Sequence, residues 1–168
     1  MCYHLTIASP LTLSEVRSML PAGLGADPLP SAELARFRAI LPAVQTAAHL
    51  RVGTCSCDLV RPRLGDARED ERHLRARYRS LGLPRDRVIR ELERHRRPAT
   101  SPEPAAGWRV ALAGFVAEHA RNAGATVYRL TFGPEASAGG TPVTRTVAEV
   151  RADPEGWLVE GAPVLVAR

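Results

Sequence analysis

The sequence predicts an α+β fold, in which a mostly antiparallel sheet of about five strands has helices packed on one face and carries an added charged helical hairpin. Two observations support this prediction, one for the fold class and one for a single domain. The β-prone segments lie near the start and in the last third of the chain, whereas helical patterns fill the middle, and such segregation favours α+β. The composition, 45% hydrophobic and 24% charged over 168 residues, is typical of a single globular domain, here residues 1–168.

The first third of the chain combines strand, helix and loop patterns. Apolar and polar residues alternate at the N-terminus, which is typical of a strand. Ser31 is a good N-cap for a helix that Pro42 should end or bend. The expected elements are a strand at 2–8, a short helix starting at Thr12 or Ser14, a proline- and glycine-rich loop at 21–30, a helix from Ser31 and a strand at 49–53.

The middle of the chain predicts an arginine-rich helical hairpin, residues 61–97, inserted within the domain. Asp66 followed by Glu69 resembles a capping box, Gly82 suits the end of the first helix, and Pro84 suits the first turn of the second. This segment has 13 arginines and 7 acidic residues, a net charge of +6, whereas the rest has 10 arginines and 11 acidic residues, a net charge of −1. The positive charge of the protein therefore comes from the hairpin.

The last third predicts one long helix followed by strands. Trp108, Leu112, Phe115 and His119 share one face of an amphipathic helix. The sequence Asp-Pro-Glu-Gly at 153–156 is a strong β-turn signal. The expected elements are a helix at 108–122 and strands at 126–132, 143–150, 157–160 and 164–167.

Composition and charge restrict the classes of function. The formal net charge of +5 and the pI of about 9.8 favour a polyanionic partner, either nucleic acid or an acidic protein. All 23 basic residues are arginine, which also fits the coding bias of a GC-rich genome, and the absence of lysine excludes Schiff-base and phosphate-loop lysine chemistry. The sequence has no signal-peptide pattern and no apolar run near the ~20 residues of a membrane span, so a cytoplasmic protein with no membrane partner is expected.

Four residues predict a zinc site. Cys2 and His4 are two positions apart, as are Cys55 and Cys57, and this spacing places both side chains of a pair on one face of an extended chain. Together they supply three sulfurs and one nitrogen, a ligand set typical of structural zinc. The pairs can share one ion only if their strands run antiparallel or the chain reverses near Cys55, because parallel strands would separate them by roughly 15–20 Å.

Three further residues are candidates for the same site. His49 can act as a fifth ligand or can hydrogen-bond a ligand. Asp58 can orient an imidazole, although an Asx-turn is the simpler interpretation, and His119 can join the site, although a packed helix-face histidine is simpler. The simplest interpretation of each cysteine is a small buried hydrophobic residue.

The cysteines also allow a thiol-dependent redox protein or a cysteine enzyme. A Cys55–Cys57 disulfide closes a very small, strained and easily reduced ring, which suits a sensor. Removal of Met1 exposes Cys2 with its own amine as a base, as in N-terminal-nucleophile hydrolases. No Gly-x-Ser-x-Gly, phosphate-loop, dinucleotide or His-Glu-x-x-His motif occurs in the sequence, so the sequence does not decide whether the protein is an enzyme.

The alternative binding surface is a pair of arginine stripes. Spacings of three and four residues align arginines on one face of each hairpin helix, where they can contact the phosphates of nucleic acid. The stripes consist of Arg68, Arg72, Arg75 and Arg79 in the first helix and Arg87, Arg90, Arg94 and Arg97 in the second. The competing interpretation is a solvated hairpin with ion pairs between residues four apart. These pairs are Glu71–Arg75, Asp86–Arg90 and Glu93–Arg97.

Overall fold

The computed structural model describes residues 3–53, 56–60, 67–96, 105–133 and 140–168. These residues form six strands and seven helices, which confirms the predicted α+β class. Their contacts group into two compact units, a larger one of Met1–Arg61 with Glu103–Arg168 and a smaller one of Pro62–Pro102. The smaller unit corresponds closely to the predicted hairpin.

The larger unit contains a sheet of six strands. In chain order they are β1 (Tyr3–Ser9), β2 (Leu24–Pro28), β3 (Thr46–Val52), β4 (Ala125–Phe132), β5 (Val143–Thr146) and β6 (Pro163–Ala167). In the sheet they follow the order β2-β3-β1-β4-β6-β5. Each neighbouring pair is antiparallel except β5 and β6, which are parallel. The mostly antiparallel sheet is therefore confirmed, with one strand more than expected.

The helices belong to both units. In chain order they are α1 (Leu13–Met19), α2 (Ser31–Arg38), α3 (Cys57–Val60), α4 (Ala67–Ser80), α5 (Arg85–Arg96), α6 (Ala105–Ala123) and α7 (Val147–Ala152). The predicted start of α1 at Thr12 is confirmed, because Thr12 and Glu15 form a capping box. Within the described residues, no helix is long and apolar enough to cross a membrane.

The main core of the larger unit lies between the sheet and α6. Leu5 and Ile7 of β1 are fully buried, and Leu112 of α6 is almost fully buried. Ser9, which alternates in phase with Leu5 and Ile7, hydrogen-bonds to His119 of α6, so these residues share the face that α6 covers. The predicted helix at 108–122 is thus confirmed with its apolar side against the sheet.

The helix α2 packs on the opposite face of the sheet. Phe37 packs with Ala8, Ala47 and Val127, which alternate with the residues that face α6. Phe37 is buried, whereas Leu34 packs against the cluster as a partly buried residue. The prediction that helices pack on one face only is therefore wrong, because the sheet has helices on both faces. Only part of the second face is apolar.

The sequence predicts a loop at 21–30, whereas the structure contains the edge strand β2 there. Gly23 makes the turn into β2 with a φ of +89°, a conformation that other residues rarely adopt. Leu29 N donates to Ala47 O, so by alternation the backbone of Pro28 faces away from β3. Pro28 is tolerated because its missing N–H falls on the unpaired side of the edge strand.

The outer side of β2 receives a side chain from α1. The same alternation turns the carbonyl of Ala26 away from β3. Nε and Nη2 of Arg17 donate to this oxygen at 3.1 and 2.8 Å. The guanidinium therefore satisfies an outward-facing backbone acceptor of the edge strand.

The sequence predicts a strand at 143–150, but the structure ends β5 at Thr146 and begins α7 there. Thr146 Oγ1 accepts from Glu149 N at 3.2 Å, and the Glu149 carboxylate accepts from Thr146 N at 2.7 Å. This capping box starts a helix within a stretch whose β-branched residues favour a strand. In the same region, 157–160 contributes only an isolated bridge from Glu160 to β4 instead of the expected strand.

Replacing Thr146 with alanine is expected to lower the free energy of unfolding by about 1 kcal/mol, because an N-cap hydroxyl and its reciprocal bond are lost. Thr144→Ala is the matched control, since Thr144 is an exposed threonine two residues earlier in β5. Urea unfolding measures both variants. Equal destabilisation by the two substitutions would contradict a specific capping role for Thr146.

The smaller unit consists of α4 and α5. Gly82 has a φ of +70° and lies just after α4, which confirms the predicted stop. Residues 61–66 and Arg97 of the predicted hairpin lie outside the described residues. The buried apolar side chains of the two helices are Leu74, Tyr78, Val88 and Leu92.

Candidate functional site

Two residues of the predicted zinc site, His4 and Cys57, are described, whereas Cys2 and Cys55 lie outside the described residues. β1 and β3 pair antiparallel, so the start of β1 lies beside the end of β3. This arrangement meets the condition under which one ion can join both pairs. Sγ of Cys57 lies 3.4 Å from the backbone nitrogen of Tyr3, so the two segments are neighbours.

Ser56 and Cys57 continue the pairing of β1 beyond the end of β3. Ser56 Oγ accepts from Leu5 N at 3.0 Å and donates to Leu50 O, and Cys57 Sγ accepts from Tyr3 N. Cys57 is buried, with 6% of its surface exposed. This environment favours the interpretation of Cys57 as a small buried residue. The redox and cysteine-enzyme hypotheses thus depend on Cys2 and Cys55, outside the described residues.

A row of polar side chains crosses the sheet on the face that carries α2. The strand register aligns Asp27 with His49, His49 with Thr6, and Thr6 with Arg129. Side chains directly opposite on adjacent antiparallel strands have Cβ atoms about 5 Å apart. We call these four residues the polar row. Thr6 and Arg129 are 5% and 7% exposed, whereas Asp27 and His49 are half-buried.

His4 lies beside the polar row and forms a pair with His49. Their ring centroids are 5.4 Å apart, with the planes inclined by 48°. Nδ1 of His49 lies 3.2 Å from Thr6 Oγ1, so Nε2 is the nitrogen that a ligand can use. Burial, and then the nearby His4, lower the pKa of His49, which favours the neutral ring that metal binding requires.

The carboxylate of the polar row is already paired. Nη2 of Arg51 lies 3.3 Å from Asp27 Oδ1, and Nε donates to Oδ2. The hydrogen bond from Arg51 lowers the pKa of Asp27. Over the described parts of the chain, no three His, Cys, Asp or Glu side chains are placed to hold one metal ion. The two imidazoles are therefore the groups of this face that are best suited to a metal.

His119 lies on the opposite face of the sheet, which α6 covers, in a buried chain of hydrogen bonds. Its Nε2 is 2.7 Å from Ser9 Oγ, and its Nδ1 is 2.9 Å from the hydroxyl of Tyr128. The hydroxyl of Ser9 also accepts from Leu11 N at 2.9 Å. The side chains of Ser9, His119 and Tyr128 are fully buried, and burial lowers the pKa of His119 to about 4.

Ser9 and His119 are the residue types of a catalytic nucleophile and its base, but their surroundings do not suit catalysis. A catalytic serine must reach substrate, and the 0% exposure of Ser9 and His119 leaves no access from solvent. The arrangement is therefore a structural network in the core, in agreement with the packed helix-face interpretation of His119. The side chain of Asp58 lies outside the described residues.

The arginine stripes lie on exposed helix surfaces of the smaller unit. The exposed members are Arg72, Arg75 and Arg79 on α4 and Arg87 and Arg90 on α5. Arg68 and Arg94 belong to these helices, but their side chains, and all of Arg97, lie outside the described residues. Of the predicted ion pairs, Glu71–Arg75 forms at 2.8 Å. Within the described part of the hairpin, the predicted ion pair Asp86–Arg90 does not form. The predicted pair Glu93–Arg97 involves Arg97, which lies outside the described residues.

Sequence reasoning missed most of the polar row. Thr6, Asp27 and Arg129 come from three strands, and the strand that carries Asp27 was expected to be a loop. Cross-strand neighbours depend on register, which residue spacing does not reveal. The alternation of His49 with Arg51 in β3 is a local signal that both belong to one polar face.

No protein-family model, no curated protein and no solved structure matches the chain. Its function must therefore be inferred from the chemistry of the described side chains.

Proposed function

We propose that the protein binds a zinc ion through His4 and His49, with the thiolate of Cys2 as a third ligand. The observation that carries this proposal is the pairing of the two imidazoles, whose ring centroids are 5.4 Å apart. With zinc–nitrogen bonds of about 2.0–2.1 Å and tetrahedral angles, two imidazoles on one ion have ring centres about 5 Å apart. The observed separation of the two rings is therefore compatible with both binding one ion.

The hydroxyl of Thr6 supports this assignment. A metal-bound histidine usually donates its second ring N–H to an oxygen, which fixes the ring orientation and selects the nitrogen that binds the metal. The 3.2 Å contact between His49 Nδ1 and Thr6 Oγ1 has this geometry, with Nε2 left for the ion. Thr6 is buried, so its hydroxyl is held in place.

Cys2 enters the proposal from the sequence. It precedes His4 by two residues, the spacing that places two side chains of an extended chain on one face. Cys57, in contrast, hydrogen-bonds to Tyr3 N at the strand edge, and Asp27 is paired with Arg51. Three protein ligands leave one coordination position for water or a substrate, as in catalytic rather than structural zinc sites.

Zinc binding is tested by competition with a chromophoric chelator, using protein purified without a metal column and stripped of metal. We expect about one zinc per chain for the wild type, and a loss of at least about tenfold in affinity for His49→Gln, which removes a ligand. Thr6→Val keeps the side-chain shape and is expected to weaken binding by about 10–100-fold through the lost hydrogen bond.

Two control variants make the test specific. His73→Gln removes a half-buried imidazole of the smaller unit and should leave affinity unchanged, as should Cys57→Ser. Equal affinity of His49→Gln and wild type would overturn the proposal. If Cys55→Ser and Cys57→Ser abolished binding while His49→Gln did not, the ion would instead occupy the Cys2, His4, Cys55 and Cys57 set that the sequence predicts.

A further inference from the structure

We propose that α4 and α5 bind the phosphate backbone of double-stranded nucleic acid without reading its bases. The two helices present six exposed arginines in their described parts, in addition to the half-buried Arg77. The exposed arginines are Arg72, Arg75, Arg79, Arg85, Arg87 and Arg90. This surface belongs to the smaller unit and does not involve the histidine pair, so it is independent of metal binding.

The arginines of α4 form an exposed stripe beside the buried side of the helix. At 3.6 residues per turn, Arg72, Arg75 and Arg79 fall within an arc of about 60°. Leu74 and Tyr78, on another side of the helix, are buried. With a rise of about 1.5 Å per residue, Arg72 and Arg79 are about 10 Å apart along the helix. One helix face can thus contact several successive phosphates.

The same arrangement occurs in α5. Arg87 and Arg90 are exposed, whereas Val88 and Leu92, on the other side of the helix, are buried. Arg94 continues the series in sequence with a further spacing of four. Arginine suits this role because its planar guanidinium can donate two parallel hydrogen bonds to one phosphate.

The described parts of the two helices keep an excess of positive charge, since residues 71–93 contain seven arginines and four acidic residues, a net charge of +3. The ion pair Glu71–Arg75 engages one exposed arginine, and Asp86 and Glu93 are the exposed acids in the described parts of the two helices. A surface with this excess of positive charge attracts a polyanion and releases its counterions, so binding should weaken steeply as salt increases.

The absence of an exposed ring favours duplex over single-stranded nucleic acid. Tyr78 is the only Phe, Trp or Tyr between residues 62 and 102, and it is fully buried. Single-strand binders usually stack bases on exposed aromatic rings. Without such a ring, the described surface offers mainly guanidinium groups, whose contacts to phosphates carry no sequence information.

The test is fluorescence anisotropy with short labelled DNA and RNA duplexes of unrelated sequence, in the presence of a chelator to exclude any contribution from metal. We expect similar affinities for different sequences. The wild-type plot of log affinity against log salt concentration should have a negative slope, and Arg72→Ala/Arg79→Ala should reduce its magnitude by about 2. The matched control is Arg121→Ala/Arg151→Ala, which removes two exposed arginines from the larger unit and should leave the slope unchanged.

Three outcomes would overturn the proposal. An equal change of slope in both double variants would show a general effect of net charge. Tighter binding to single strands, or to one sequence, would require contacts to bases. Binding to an acidic polypeptide but not to duplexes would identify the hairpin as a protein-binding surface. Circular dichroism of each variant confirms that its helices are intact, so that a loss of binding can be interpreted.

Discussion

Replacing Ser56 with alanine is expected to lower the free energy of unfolding by about 2 kcal/mol, because a buried hydroxyl that serves two backbone groups is lost. Ser56 Oγ accepts from Leu5 N and donates to Leu50 O, two residues that face each other in β1 and β3. The region is buried, so water cannot easily replace the lost hydrogen bonds. The substitution should therefore weaken the pairing of the central strand with β3.

Ser80→Ala is the matched control for this prediction. Ser80 also donates its hydroxyl to a backbone carbonyl, that of Arg77, but in an exposed position. Its replacement is expected to change stability by less than about 0.5 kcal/mol, as is usual for surface positions. Urea unfolding compares the two variants. If Ser56→Ala were as stable as Ser80→Ala, the hydroxyl would not be needed to hold β1 and β3 together.

The protein is expected to lose about 2 kcal/mol of stability between pH 7 and pH 5, mainly through His119. Burial lowers the pKa of His119 to about 4 in the folded protein, from 6.5. Between these values the unfolded chain binds the proton and the folded chain does not, so stability rises with pH. The contribution is present above about pH 6.5 and is lost as the pH falls toward 4.

Two variants distinguish the effect of His119 protonation on stability from the effect of its hydrogen bonds. His119→Gln should be less stable than wild type at pH 7, but most of the decline between pH 7 and 5 should disappear, with His49 contributing the remainder because its pKa is also lowered. Ser9→Ala removes a partner of His119 without removing the imidazole, and it should lower stability similarly at both pH values. A decline that persists unchanged in His119→Gln would show that other groups cause the pH dependence.

The elements that the sequence predicts well are those determined by local chemistry. Thr12 caps α1 through a side-chain contact with Glu15, and Gly82 adopts a positive φ just beyond the end of α4. The elements that were missed depend on a competition between local signals or on a distant partner. The helix α7 begins where a capping box overrides β-branched residues, and β2 exists because β3 is available to pair with it.

In the candidate site as well, local features can be predicted from the sequence, whereas contacts between distant segments cannot. His4 and His49 could be recognised as possible ligands by residue type, but their pairing requires an antiparallel register between strands about 40 residues apart. No spacing rule predicts that Thr6 lies opposite His49, because register is determined by packing and by the connecting segments. Sequence reasoning thus identified the chemistry of the imidazoles, whereas only the structure brings them together.

The contact of Arg17 with β2 has a consequence for how the protein behaves in concentrated solution. An open edge strand can recruit a strand from another molecule, which leads to polymerisation through continuous sheets. On the outer side of β2, Pro28 has no N–H to offer, and the carbonyl of Ala26 is already bonded to Arg17. A second chain would have to displace the guanidinium before it could dock. Arg17 therefore occupies an acceptor that an incoming strand would need in order to pair with this edge.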